Sequence, residues 1–348
     1  MTKRANGGRP IDAVPASSEA ATASTVKAGP LPNPDRASMR YLSPLRYPGA
    51  KSGIARCIAE LIKANAKKPP FFLEPFAGGA ATTLRLLADG IVSHAIIGDA
   101  DPLVANFWIT AATRPEWLVD RMIDEPVTLD RWDYWRAYEQ KSPDDPELAV
   151  KCLFLNRTTF SGILHGRAGP IGGRKQESDY AIGCRFNKDA LAERIRFVGD
   201  LYRSGRLVAA WRGEWQQTLK LFGEQFPEYA ASGDVVVYLD PPYVDKADRL
   251  YTAEYAAFNH LQLAAQLLHH VPYRWVLSYD DHADIRALYQ AKTVQPHSPG
   301  VRQWRVQKRL VELRYSASGR TGRGPKDELV ITTLPKFPDD ASFRAVEI

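Results

Sequence analysis

A nearly continuous apolar run, Asp234–Leu239, constrains the fold of this chain more than any other feature. Consecutive valines favour a strand, and the absence of polar alternation is typical of a strand buried on both faces of a parallel sheet. The run stops at Asp240, which is followed by two prolines and Tyr243. Because proline cannot donate a ladder hydrogen bond, the segment predicts a buried strand that ends at a rigid turn.

Similar but shorter runs lie on both sides of this strand. They predict further strands at Phe71–Glu74, His94–Gly98, Trp275–Ser278 and Glu328–Thr333. A helix is predicted over Ala81–Asp89, with Gly90 at the C′ position that ends it. Alternating strands and helices predict an α/β fold, with a mostly parallel Rossmann-like sheet and helices on both of its faces.

The alternation is interrupted between residues 111 and 230. This segment is Trp-rich and helical in pattern, and it contains a Gly- and Arg-rich stretch from Gly162 to Gly183. We expect it to be an inserted, mainly helical, substrate-reading domain, with the sheet built from residues 39–110 and 231–335. Residues 1–38 are rich in Ala, Pro, Ser and Thr and predict a disordered tail, and residues 336–348 predict a second short tail.

Composition excludes several classes of protein. No apolar run is long enough to span a membrane, and the net charge of +6 favours an anionic partner without identifying it. The three cysteines, Cys57, Cys152 and Cys184, lack the pairing of a zinc site or a disulfide framework, and the histidines form no metalloprotease pattern. We therefore expect a metal-free protein of a reducing cytoplasm, without a membrane partner.

Three predicted strands carry polar or glycine-rich segments at their carboxyl ends, where open parallel sheets bind ligands. Glu74–Gly79 could let a ligand approach its backbone, or its glycines could serve turn geometry alone. Asp99 could accept both hydroxyls of a ribose, or it could cap the helix that begins near Pro102. These segments should meet Asp240–Tyr243 in one crevice.

Asp240–Tyr243 is the most specific motif in the chain. The two prolines lock an extended turn whose carbonyl oxygens remain free to accept hydrogen bonds. Together with the Asp240 carboxylate and the Tyr243 ring, they form a surface suited to a planar amine. The alternative is a rigid turn that merely terminates the strand and buries its tyrosine.

The order and content of these motifs resemble the DNA adenine N6-methyltransferase family typified by the bacterial DNA adenine methylase, from about Leu45 to Thr333. Several further segments resemble the family. Arg46–Lys51 resembles its cofactor motif, and Leu155–Gly162 resembles the start of its DNA-reading region. Tyr251–Phe258 resembles the helix start that follows its catalytic tetrad, and Glu312–Ser318 with Arg320–Glu328 resembles its carboxyl-terminal strand and basic loop. Two features depart from it: Ala80 replaces a usual glycine, and His165–Cys184 matches the target-reading hairpin poorly.

The resemblance implies that S-adenosylmethionine is the cofactor and that residues 111–230 read double-stranded DNA. The cofactor-binding residues it implies are Tyr47, Lys51, Phe76, Gly78, Asp99 and Asp240. Asp240 and the Pro241 carbonyl would accept the N6 hydrogens of a flipped-out adenine, and Tyr243 would stack on its ring. The protein would act as a monomer.

Basic residues of the insert are candidates for phosphate contacts. They are Arg157, Arg167, Arg174, Lys175 and Arg185. Each could instead belong to a solvated surface. Two alternative functions stay open: N4-cytosine methylation, for which a tetrad that begins with Ser is typical, and a cofactor-binding DNA-recognition protein without activity.

Overall fold

The computed structural model describes Gly29 and residues 41–46, 53–142, 144–242, 257–290, 293–294, 303–314, 325–340 and 342–346. Within these ranges the strands are β1 (Phe71–Glu74), β2 (His94–Asp99), β3 (Leu207–Arg212), β4 (Val235–Leu239), β5 (Arg274–Asp280), β6 (Thr293–Val294), β7 (Trp304–Arg305), β8 (Gln307–Arg314), β9 (Pro325–Thr332) and β10 (Phe343–Ala345). An eight-stranded sheet has the order β10-β8-β9-β5-β4-β1-β2-β3, and β6 pairs with β7.

The sheet is mostly parallel, as predicted. Strands β1 to β5 pair in parallel, whereas β9 runs antiparallel to both β5 and β8. The order reverses between β1 and β4, and such a switch point is where open α/β sheets bind ligands. Strand β4 lies between β1 and β5 and is buried along its whole length, which confirms the interpretation of the valine run.

Helices cover both faces of the sheet, which confirms the predicted fold class. They are α1 (Ile54–Asn65), α2 (Ala81–Ala88), α3 (Pro102–Thr113), α4 (Pro115–Asp124), α5 (Leu129–Ala137), α6 (Glu147–Thr158), α7 (Lys188–Arg203), α8 (Trp215–Gln225), α9 (Pro227–Ser232), α10 (Ala257–His269) and α11 (Ala283–Leu288). Helix α2 ends at Ala88, and Gly90 follows with φ +66°, as its predicted C′ role requires.

Alternate residues of each strand pack into different cores. Phe72 and Tyr238 point to one face, where they stack at 6.3 Å between ring centroids and join residues of α1, α3, α6 and α7. Phe71 points to the other face and contacts Phe222 of α8 at 4.9 Å. Because alternate side chains of a strand face opposite sides of the sheet, and both sides are covered by apolar cores, the central strands have few polar positions.

The structure changes two parts of the predicted organisation. Strand β3 lies inside residues 111–230 but pairs with β2, so the predicted insert includes one strand of the main sheet. The predicted tail of residues 336–348 contains β10, which pairs with β8 because Phe343 is buried against Phe337. Of the predicted amino-terminal tail, only Gly29 lies among the described residues.

Candidate active site

Three acidic residues lie at the carboxyl ends of neighbouring strands. Glu74 is the last residue of β1, Asp99 is the last of β2, and Asp240 follows β4 directly. Burial raises the pKa of Glu74 to about 8, and the nearby charges of Asp240 and Asp99 add to this effect. Burial and then the charge of Asp101 raise the pKa of Asp99 to about 7. Three carboxyl groups therefore lie at the predicted crevice. Burial disfavours the ionised form of two of them, Glu74 and Asp99.

Glu74 holds the first turn of α2. Its Oε2 accepts hydrogen bonds from the Thr83 N–H, at 3.1 Å, and from the Thr83 hydroxyl. These bonds to a buried carboxylate fix the loop that connects β1 to α2.

Asp99 joins the glycine loop to the start of α3. Its Oδ2 accepts the N–H of Gly78 at 2.8 Å, and its Oδ1 accepts the N–H of Asp101 at 2.9 Å. Asp101 caps α3 through Leu103, so Asp99 is not the helix cap. Because each carboxylate oxygen has two lone pairs, each oxygen of Asp99 retains one acceptor position.

The glycine loop has the backbone that its sequence predicts. Gly78 has φ +45°, and its carbonyl accepts the indole N–H of Trp108 at 2.9 Å. Ala80, which stands where the similar family usually has glycine, is buried and also has a left-handed backbone, with φ +43°. Phe76 is half-buried and packs on the core under the loop.

A chain of hydroxyl groups holds Asp240. The Ser278 hydroxyl donates to Asp240 Oδ1 at 3.0 Å, and the Tyr238 hydroxyl lies 2.9 Å from Ser278 Oγ. Since serine has one hydroxyl proton and gives it to Asp240, Tyr238 must donate to Ser278. Pro241 is buried next to Asp240. The predicted Tyr243, Tyr47 and Lys51 lie outside the described residues, as do most of Tyr251–Phe258 and the basic loop around Arg320.

Within the segment Leu155–Gly162, the side chain of Asn156 connects two parts of the backbone. Its buried amide accepts the Arg46 N–H at 2.6 Å and donates to the carbonyls of Arg46, at 2.6 Å, and Gly162, at 3.1 Å. A Cβ on Gly162 would lie 2.6 Å from the Arg46 carbonyl oxygen, and the φ of Gly162 is +77°. Only glycine fits this junction without strain.

The predicted phosphate contacts have different environments. Arg157 is buried and donates to the Pro44 carbonyl from both Nε, at 2.7 Å, and Nη2. Arg174 is exposed and forms two hydrogen bonds with Asp133, at 2.6 and 2.9 Å. Arg167, Lys175 and Arg185 are exposed.

Several residues of this region were not predicted. Asp101 followed by proline is a recognisable helix start, so the sequence contained a signal for it. His165, whose Nε2 lies 2.5 Å from Asp101 Oδ2, and Ser278 carry no such signal, because their partners are distant in sequence.

Two negative findings concern the described residues alone. Within them, no group of three or more His, Cys, Asp and Glu side chains is arranged to hold a metal ion. None of the helices described there is long and apolar enough to cross a membrane. The three cysteines are unpaired, with Cys57 and Cys152 buried and Cys184 exposed.

The sheet order places the acidic ends of β1 and β4 at the switch point, where open α/β sheets bind ligands. Residues 47–167 match the family model for D12 class N6 adenine-specific DNA methyltransferases. Over these residues the chain is similar to adenine-specific DNA methyltransferases. No curated protein matches it in sequence. Solved structures similar to it include the rRNA methyltransferase aviRa from Streptomyces viridochromogenes, at 16% identity over 87% of this chain and 93% of that one, with a TM-score of 0.34.

Proposed function

We propose that this enzyme transfers a methyl group from S-adenosylmethionine to N6 of an adenine flipped out of double-stranded DNA. The observation that carries the proposal is the position of Asp240, which follows the buried strand β4 and is oriented by Ser278 within an acidic crevice.

The crevice fits the cofactor chemically. Glu74 and Asp99 have raised pKa values in the protein alone, so a cationic ligand would relieve the cost of ionising them. Asp99 also retains acceptor positions for ribose hydroxyls, beside the left-handed backbone of Gly78. When bound, S-adenosylmethionine supplies an electrophilic methyl group on a positively charged sulfonium.

The protein contributes acceptors for the target amine. The N6 lone pair of adenine is delocalised into the ring, so hydrogen bonds that favour a pyramidal nitrogen assist its attack. Asp240 and the Pro241 carbonyl are suited to accept the two N6 hydrogens, because positive charge develops on this nitrogen during transfer. Ser278 occupies one oxygen of Asp240 and thereby limits its rotation. We retain Tyr243 as the stacking platform.

The insert supplies the DNA contacts in this proposal. Because β3 belongs to the main sheet, we assign target reading to α5, α6 and the segment from Thr159 to Asn187. Arg167, Lys175 and Arg185 are exposed for phosphate contacts. Arg174 would have to exchange Asp133 for a phosphate, which lowers the net gain from its contact.

The test is incubation of the purified protein with S-adenosylmethionine and unmethylated genomic DNA, followed by mapping of modified bases at single-nucleotide resolution. We expect N6-methyladenine at a defined sequence. The Asp240→Ala variant should lose about 10²–10³-fold or more in turnover while it still binds DNA, since phosphate contacts dominate binding.

The matched control is Asp234→Ala. This residue precedes the other end of β4 and pairs with Lys68 on the surface, so its loss should leave turnover unchanged. N4-methylcytosine among the products would contradict the adenine assignment. DNA binding without any modified base would instead indicate a recognition protein without activity.

A further inference from the structure

Four arginines converge on residues 43–46. From α6, Arg157 donates to the Pro44 carbonyl, and from α7, Arg194 donates to the adjacent Ser43 carbonyl at 3.5 Å. Arg46 belongs to the segment itself, and Arg185 lies close enough to Arg46 and Arg157 for its charge to lower their pKa values. We call these residues the arginine cluster: Arg46, Arg157, Arg185 and Arg194.

The cluster lacks balancing negative charge within the described part of the chain. There, none of the four arginines forms an ion pair with Asp or Glu, whereas Arg196 and Arg203 of the same helix α7 pair with Glu116 and Asp200. Burial and then the charges of Arg194, Arg46 and Arg185 lower the pKa of Arg157 to about 9, so it remains charged at neutral pH. Buried like charges are costly unless an anion compensates them.

The cluster also extends to the surface. Arg157 is buried, Arg46 and Arg194 are half-buried, and Arg185 is exposed. The exposed Arg185 and the two half-buried arginines connect buried Arg157 to solvent, from which an anion can reach the cluster.

The location favours the DNA side of the molecule. Asn156 links Arg46 to Gly162, at the start of the segment to which we assign target reading.

We propose that the arginine cluster is a binding site for one oxyanion, and that in the complex this is a phosphodiester of the DNA backbone. Guanidinium groups bind phosphate oxygens through paired N–H donors, and several can share one phosphate. The inference rests on the proposed function, because it takes DNA as the substrate. It extends the predicted role of Arg157 and Arg185 and adds Arg46 and Arg194 to it.

The experiment measures the affinity of the full-length protein for a short duplex of mixed sequence across a potassium chloride series. Arg185→Gln and Arg194→Gln are the test variants, and each removes one charge of the cluster while it keeps a polar side chain. Arg196→Gln is the control, because it removes the same charge from the same helix outside the cluster. Each test variant should bind about 10-fold more weakly than the control, with a salt slope shallower by about 0.9.

Two further measurements separate the sources of the oxyanion. Inorganic phosphate at constant ionic strength should raise the thermal midpoint of the wild type more than that of Arg194→Gln. The affinity for S-adenosylhomocysteine should be the same in the wild type and Arg194→Gln. A loss of S-adenosylhomocysteine affinity with DNA binding intact would assign the cluster to the cofactor carboxylate and overturn the proposal.

The remaining outcomes distinguish the arginine-cluster proposal from the proposed function. Equal DNA affinities for the two test variants and the control would refute the phosphate site while leaving DNA methylation standing. Failure of the wild type itself to bind the duplex at low salt would instead refute the proposed substrate, and the cluster proposal with it.

Discussion

His165 Nε2 lies 2.5 Å from Oδ2 of Asp101, so one carboxylate connects the predicted reading segment to the cofactor side of the sheet. Asp101 caps α3 with its other oxygen, and its N–H donates to Asp99. A cavity of about 350 Å³ lies beside this pair and is lined in part by Arg136, Lys151 and Leu164. The contact therefore joins the segment proposed to read DNA to the strand end proposed to bind the cofactor.

The first prediction concerns the pH dependence of this contact. The hydrogen bond to Asp101 raises the pKa of His165, despite opposing effects of burial and of Arg136 and Lys151. The stabilisation should be complete below the ordinary histidine value of about 6.5, and it should be lost as pH rises through the raised pKa. The thermal midpoint of the wild type, relative to that of His165→Gln, should thus fall as pH rises above about 6.5.

If the thermal midpoints of the wild type and His165→Gln stay parallel as pH rises above about 6.5, the pair with Asp101 does not contribute to stability.

The second prediction concerns Ser278. Ser278→Ala leaves the buried Tyr238 hydroxyl without its acceptor and releases Asp240 Oδ1, so it should destabilise the fold by about 1–3 kcal/mol and lower kcat. Tyr238→Phe keeps the bond from Ser278 to Asp240, and its effect on kcat should be much smaller. Chemical denaturation and single-turnover kinetics measure the two effects. Equal losses of kcat in both variants would show that Ser278 does not act by positioning Asp240.

The third prediction links cofactor binding to protons. The pKa values of about 8 for Glu74 and about 7 for Asp99 lie above their unfolded values, so the protein without ligand should lose stability as pH rises toward 8. A cationic ligand favours the ionised carboxylates. S-adenosylmethionine should therefore release protons on binding near pH 7, and its affinity should increase with pH up to about 8.

Calorimetry in buffers of different ionisation enthalpy measures this proton release. S-adenosylhomocysteine, which lacks the sulfonium charge, is the matched ligand and should release fewer protons. Glu74→Gln should reduce the release with S-adenosylmethionine. Identical release with both ligands would remove the electrostatic argument for the acidic crevice.

The fourth prediction compares two glycines of the reading segment. Gly162 and Gly166 both have left-handed backbones, with φ of +77° and +75°, but an added Cβ would meet the Arg46 carbonyl only at Gly162. Gly166→Ala should cost about 1 kcal/mol for backbone strain alone. Gly162→Ala should cost more, and the difference in the free energy of unfolding measures the close approach to Arg46. Equal costs would mean that the segment of residues 41–46 moves away freely.

The sequence alone determined the local features of this protein. The valine run predicted β4, Gly90 predicted the end of α2, and Asp240 was expected at the carboxyl end of β4, because strand burial and turn chemistry depend on a few consecutive residues. The family match over residues 47–167 covers the motifs at Glu74–Gly79 and Asp99 but not the valine run or Asp240.

Tertiary structure decided the features that depend on distant residues. The placement of β3 and β10 in the sheet was not predicted, because neither short segment shows which edge it will pair with. The same holds for Ser278 beneath Asp240, for His165 on Asp101 and for Arg194 beside Arg157, which are brought together by the packing of separate elements. Hydrogen bonds and charge interactions of this kind arise only after the hydrophobic cores have fixed the relative positions of the helices and strands.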